Sequence, residues 1–247
     1  MSRKLHKVLN AALPMGVRKG LKESAKAFIP TLRHLDMPVR LRHLASRGFA
    51  PGVIYDVGAA TGEWSRMAHE IWPQARIVGF EPNAREVPHL DATKRDVPGF
   101  DYRRCFLGRA RGTVEYFDND TQTSLLDDSA RGVKTTAEML VLDELIASGD
   151  IPAPQFVKLD VQGYELEVLS GGEAAMRGAQ ALLLEVSFIP FHPGLPIVRD
   201  VVEFMHARGF VWFDVLGLLR RASDDALLQM DVLFVRGDSP LRAGGAA

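Results

Sequence analysis

The stretch VIYDVGAATGEW, residues 53–64, constrains the fold more than any other. Its first five residues are apolar apart from Asp56 and read as a short buried strand. Small residues follow, and from Gly62 onward the pattern reads as a helix. A strand, a glycine turn and a helix open a nucleotide-binding βα unit. The spacing is not G-x-G-x-x-G, and the lysine and serine or threonine of a P-loop are missing, so no diphosphate cradle is encoded. What is encoded is an acid, Asp56, two residues before Gly58. A carboxylate there suits a ligand with a cationic ammonium group and no phosphate. Gly58 lets the backbone approach that ligand, and Gly62 lets the helix close on the strand.

The rest of the chain repeats the alternation. Strands are expected at 53–57, 76–80, 101–105, 113–117, 155–159, 181–186, 210–215 and 231–235. Helices are expected at 62–72, 83–94, 136–147, 164–171 and 197–208. The last two strands read as an antiparallel hairpin with a long connection. Strands alternating with helices imply a doubly wound, Rossmann-like, mostly parallel sheet. In such sheets ligands lie beyond the carboxyl ends of the strands. Chemistry should therefore collect at 56–62, 81–83, 160–165 and 185–192.

The second strand ends in Glu81-Pro82-Asn83, with the acid nineteen residues after Gly62. An acid about 20 residues past such a turn accepts hydrogen bonds from ribose hydroxyls. Taken alone, Asp56 is equally a helix-capping acid and Glu81 a solvated strand end. Together at matching strand ends they fit S-adenosylmethionine, which carries an ammonium, a sulfonium and a ribose but no phosphate.

The chain resembles class I S-adenosylmethionine-dependent methyltransferases of the FkbM family. The resemblance rests on YDVGAATGEWS (55–65), GFEPN (79–83), TSLL (123–126), VLDELI (141–146), FVKLDVQGYELEVLSGG (156–172), LLLEVSF (182–188) and QMDVLFVR (229–236). The most specific of these is FVKLDVQGYELEVLSGG, close to the family pattern IKIDVEGAELEVLKG. Ala60 stands where the family commonly has Asn. The resemblance implies methyl transfer to a hydroxyl of a sugar, glycan or natural-product acceptor, on a seven-stranded sheet. It places Asp56, Gly58 and Ala59 at the methionine end of the donor, Glu81 at the ribose, and Pro82 and Asn83 near the adenine. It also singles out Ser124. An N-methyltransferase of a small amine or peptide, and a non-catalytic donor-binding scaffold, are the alternative readings.

For the acceptor end, Lys158 and Asp160 share a strand face. A lysine in an apolar strand needs a partner. Asp160 is the expected one, either as a reacting acid or as half of an ion pair that fixes the turn. Glu185 ends the most apolar strand, and His192 follows in a proline-flanked loop. Each is a candidate base, with a surface histidine the alternative for His192. Asp231 opens the last strand. Asp160, Glu185 and Asp231 offer oxygen ligands to Mg²⁺, although their separation gives no metal-ligand spacing. One cysteine and no paired histidine motif give no zinc site.

Composition adds boundaries. The 247 residues are 47% hydrophobic and 25% charged, ordinary values for a globular chain. The single cysteine, Cys105, points to a reducing cytoplasm. No apolar run is long enough to span a membrane. Residues 1–50 carry eleven Lys/Arg against two acids, so the remainder is acidic. They read as a basic helical extension broken at Pro14, Pro30 and Pro38. Leu5, Val8, Leu9 and Ala12 give it one apolar face for the domain or for a second subunit, and its charge allows contact with a membrane surface. No N/D-P-P-Y/F motif is present, and no nucleic-acid partner is expected. The methyltransferase domain is expected over 51–238, with a flexible tail at 239–247.

Overall fold

The computed structural model describes residues 36–118, 123–124, 133–190 and 192–243, with backbone alone at 117–118, 123–124 and 133–134. Proximal to that, the arm with Pro14, Pro30 and its apolar face lies outside the described residues, as do residues 244–247.

The first strand of the main sheet lies in its interior. Strand β1 (Val53–Val57) is followed by helix α2 (Glu63–Ile71) and β2 (Arg76–Phe80), then α3 (Val87–Asp96) and β3 (Phe100–Arg103). Preceding β1 is α1 (Met37–Ser46). The second half supplies β8 (Phe156–Leu159), α5 (Glu165–Ser170), α6 (Glu173–Gly178), β9 (Ala181–Ser187), α7 (Val198–Ala207), β10 (Phe210–Arg220) and β11 (Leu227–Arg236). The sheet has seven strands in the order β10-β11-β9-β8-β1-β2-β3. All are parallel except β11, which runs antiparallel to both β9 and β10. The expected α/β fold and seven-stranded, mostly parallel sheet are thus realised. The chain winds outward from β1 to β3, then returns to β8 on the other side of β1. The switch point lies between β1 and β8, which is where such sheets hold their ligands.

Period-two alternation sends side chains to two cores. Tyr55, Val57, Val157, Leu159, Leu182 and Leu184 face α5, α6 and α7. Ile54, Ile77, Phe156, Leu183 and Leu233 face α1, α2 and α3. Asp56, Lys158, Glu185 and Asp231 continue this second face toward the sheet's upper end.

Between β3 and β8 the chain builds a second sheet that the sequence reading did not separate. Strands β4 (Phe106–Leu107), β5 (Gly112–Asp118), β6 (Thr123–Ser124) and β7 (Val133–Leu140) pair in the order β4-β7-β5-β6. The strand expected at 113–117 belongs here. The helix expected at 136–147 is corrected: 133–140 is strand and only α4 (Leu142–Ala147) is helical. Residues 135–140 alternate in exposure as a strand does, with β7 antiparallel to β5. The second sheet touches the first layer closely. A Cβ on Gly171, at the end of α5, would stand 2.1 Å from the Gly108 carbonyl oxygen.

Two more expectations are revised. The hairpin connection is short, residues 221–226, because β10 runs to Arg220 and β11 starts at Leu227. Register shifts at Trp212/Asp214, Val215/Gly217 and Leu219/Arg220 break the alternation that would have revealed the full strand. Pro38 does not break a helix but sits in the first turn of α1, behind the Asp36 cap, where its missing N–H costs nothing. α1 and the segment after it pack on the domain. Arg40 pairs with Asp214, and the Trp72 indole donates to the Phe49 carbonyl at 2.8 Å. Residues 239–243 are packed rather than loose: Pro240–Arg242 form a 3-10 turn, Leu241 is buried, and Arg47 donates to its carbonyl.

Candidate active site

The turn after β1 and the turn after β8 meet at the switch point. Gly58 has φ of +76°, and a Cβ there would lie 2.0 Å from the Asp160 carbonyl oxygen. No other residue fits that approach. Gly62, φ +81°, is crowded by Thr93 of α3, whose Oγ1 would be 2.5 Å from an added Cβ. The close strand–helix packing expected for Gly62 is therefore with α3.

Asp56 has no exposed surface. Its Oδ1 lies 3.0 Å from Lys158 Nζ, and its Oδ2 accepts from Ser65 Oγ at 2.7 Å. Lys158 also donates to the Gly58 carbonyl at 2.8 Å. The pairing expected with Asp160 is present, 3.7 Å to its Oδ2, and Asp56 is a second, nearer partner that was not expected. Burial works against the ammonium, but Asp56 and then Asp160 outweigh it and hold Lys158 above the usual lysine range. Adjacent strands put the two together, since Asp56 and Lys158 are register partners.

Glu81 is buried at the end of β2. Its Oε2 accepts the Ala60 N–H and its Oε1 the Asn83 N–H, each at 2.9 Å. Burial raises its carboxyl above the usual range, against the pull of those two N–H donors. Asn83 is buried and caps the next turn by accepting from the Arg85 N–H; Pro82 is half-buried beside it. Ala59 is buried, donating to the Phe80 carbonyl at 3.1 Å, so it supports the turn from beneath. Ser124 lies in β6 of the second sheet, paired with Phe117 of β5; its side chain lies outside the described residues.

A row of carboxyls runs from the turn after β8 across β9 and β11. Glu185 and Asp231 are direct antiparallel partners. Glu185 is pushed up to about 9, by burial first and then by Asp160, Glu165 and Asp231. Asp231 is pushed up to about 6 by burial and by Asp160. Glu165, buried, accepts the Val161 and Gly163 N–H groups at 3.1 and 3.2 Å, and burial pushes it up to about 7. Gln162 reaches Asp160 Oδ1 and Glu185 Oε2. Asp160 itself is the open member, with a side chain 40% exposed. His192 stands in the turn between β9 and α7, where its carbonyl accepts the Leu195 N–H. Its imidazole makes no hydrogen bond or ion pair among the described residues.

Among the described residues no three His, Cys, Asp or Glu converge as a metal site. Asp160, Glu185 and Asp231 share a face without forming a cage, so the Mg²⁺ expectation does not fit them. Sequence reasoning missed Ser65, Gln162 and the role of Glu165. Ser65 was signalled only by its place in the first turn after the glycine turn.

A sheet of this order, with a glycine turn after its first strand and a buried acid ending its second, defines the class I methyltransferase fold. The chain belongs to the FkbM methyltransferase family: the model of the methyltransferase FkbM domain matches residues 56–212. Hexuronic acid methyltransferase AglP of Haloferax volcanii is 26% identical over 166 residues, 67% of this chain. That alignment spans 66% of AglP, just under two thirds of its length. In structure the chain is similar to the N-terminal domain of EvdMO1, solved in the presence of SAH and D-fucose, with TM-score 0.50, 13% identity and coverage of 82% of this chain and 84% of that one. An FkbM methyltransferase from Methylobacillus flagellatus matches with TM-score 0.49 and 16% identity, over 73% of this chain and 43% of that one.

Two outcomes follow for the site. Lys158→Met leaves Asp56 buried without its counter-charge and lowers the unfolding free energy by about 3–5 kcal/mol, measured by urea denaturation. Glu185 binds a proton in the folded state above its unfolded value of 4.5. Its contribution is therefore present below 4.5 and is lost as pH rises toward about 9. The unfolding free energy from urea denaturation should fall over that window in the wild type, by up to about 1.4 kcal/mol per pH unit for each such proton. Glu185→Gln should flatten the fall; an unchanged slope would mean that Glu185 is not held protonated.

Proposed function

We propose that the protein transfers a methyl group from S-adenosylmethionine to a hydroxyl oxygen of a sugar or sugar-bearing acceptor. The observation that carries this reading is Glu81. A carboxylate has about four acceptor positions, and its two backbone N–H partners use only two. The others are available to a pair of vicinal ribose hydroxyls. Family membership supports the methyl transfer, and AglP, named for a hexuronic acid, supports a sugar acceptor.

Each residue of the site has a definite task in this reading. Glu81 holds the ribose, and Pro82 and Asn83 border the base. Gly58 and Ala60 carry the backbone past the methionine end, over a turn that Asp56, Ser65 and Lys158 keep fixed. When bound, the donor supplies a methyl already activated on a sulfonium. Alignment of the acceptor oxygen with that methyl provides much of the acceleration. The acceptor oxygen forms the new O–C bond as the C–S bond breaks, and its proton passes to Asp160. Lys158, 3.7 Å from Asp160 Oδ2, offsets the negative charge there. Glu185, held protonated, is a hydrogen-bond donor to a neighbouring hydroxyl. His192 has no task in this scheme.

Calorimetry with S-adenosylhomocysteine should show saturable binding that Glu81→Ala weakens by at least about tenfold, a loss of about 1.4 kcal/mol or more. Unchanged affinity would remove Glu81 from the ribose. Incubation of S-adenosylmethionine with a panel of methyl glycosides, neutral and uronic, should add one methylene mass to at least one of them by mass spectrometry. A panel methylated only on amines would replace the hydroxyl reading.

On the accepted glycoside, Asp160→Asn should lower turnover by about 10²-fold or more, with S-adenosylhomocysteine affinity changed little. Near wild-type turnover in a folded variant would make Asp160 structural.

A further inference from the structure

Gln162 occupies the turn after β8 with φ of +58°, in the left-handed region, although it is not glycine. A residue with a Cβ is disfavoured there. Gly163 beside it is also in the left-handed region, with φ of +94°. In this conformation the amide Nε2 lies 3.4 Å from Asp160 Oδ1 and 3.4 Å from Glu185 Oε2. Both contacts are long, as suits one nitrogen shared between two acceptors. The NH₂ group has two hydrogens and can serve both. A carboxyl of the same shape could serve one when protonated and neither when ionised.

The surroundings make that difference matter. The charged and polar groups around Asp160 and Glu185 are Lys158 of β8, Asp231 and Gln229 of β11, and Glu165 of α5. Asp56 of β1 lies behind Lys158. One ammonium therefore stands among many acids. In the family pattern quoted above, the residue aligned with Gln162 is glutamate.

We propose that Gln162 is a positioning residue of the acceptor end: its amide bridges Asp160 and Glu185 and spares the row a further negative charge. The inference rests on the methyltransferase reading, since it makes Gln162 the residue that sets when Asp160 can take the acceptor's proton. A like charge at hydrogen-bond distance disfavours ionisation of its neighbours, and loss of a donor to a carboxylate does so more weakly.

The test needs no acceptor. Side-chain carboxyl ¹³C resonances are titrated in the wild type, Gln162→Glu and Gln162→Met, each with and without saturating S-adenosylhomocysteine. The Glu185 resonance is assigned by its loss in Glu185→Gln. In Gln162→Glu the Glu185 midpoint should rise by at least about one pH unit, and in Gln162→Met by a smaller amount in the same direction. Should Gln162→Glu fail to fold, the Gln162→Met shift alone decides. Midpoints that superimpose on the wild type, with normal S-adenosylhomocysteine binding, would overturn the role of Gln162 alone. Failure of the wild type to bind S-adenosylhomocysteine would instead overturn the methyltransferase reading, while any shift in midpoints stays readable.

Discussion

The buried pair of Asp56 and Lys158 organises the site. The two residues are lateral neighbours on β1 and β8, the strands that flank the switch point. Both belong to a face whose lower rows are Ile54, Phe156 and Leu183. Two charges in such a layer are tolerable only because each satisfies the other and a further partner. Asp56 accepts from Ser65 of α2, and Lys158 donates to the Gly58 carbonyl. The pair therefore ties the first strand, its turn, the following helix and β8 into one unit. That unit fixes where the turn's backbone lies, and so where a ligand can rest on it. Asp56, fully buried, contributes by bracing that turn.

One residue farther along the same face the electrostatics change. The apolar rows end, and Asp160, Glu185 and Asp231 follow with Lys158 as the nearby ammonium. Pairing of β9 with β11 places Glu185 and Asp231 directly opposite each other, an arrangement that destabilises two ionised carboxylates. The result is division of labour among like groups. Burial and mutual repulsion raise the carboxyls of Glu185 and Asp231 above the usual range, while Asp160 is the open member. Gly217 lies opposite Asp231 on the far strand, and the Asp231 Oδ2 fills the position a Cβ there would need, at 2.1 Å. The glycine on β10 thus gives the outer carboxyl its room.

The parts of this design that depend on short-range pattern were legible in the sequence. The strand-turn-helix at 53–64, the acid ending β2 and the apolar strand before Glu185 all carry local signals. The parts that depend on register were not. Lys158 was paired with Asp160 because they share a strand, whereas its closer partner lies across the sheet on β1. β7 was read as helix because TTAEML runs into VLDELI without a glycine or proline between them, and its partner β5 settles the matter. β10 was cut short because its register shifts scramble the alternation. Gln162 carried no signal of its own, since only the left-handed turn aims its amide at two carboxyls.

Among the described residues, two of the three non-glycine residues with positive φ flank the site: Ala60 at +44° and Gln162 at +58°. Left-handed backbone costs a residue with a Cβ about 1–2 kcal/mol. Asparagine tolerates it better than alanine, so Ala60 departs from the family pattern at a position where the departure is strained. Each strained residue is held by a carboxylate of the site. Ala60 donates its N–H to Glu81, and Gln162 donates its amide to Asp160 and Glu185. In the proposed reading, the acids that meet the two substrates are thereby the same groups that restrain the two turns. Donor-side geometry and acceptor-side charge are consequently coupled to backbone conformation, and a change at either carboxylate is felt first in the turn that it holds.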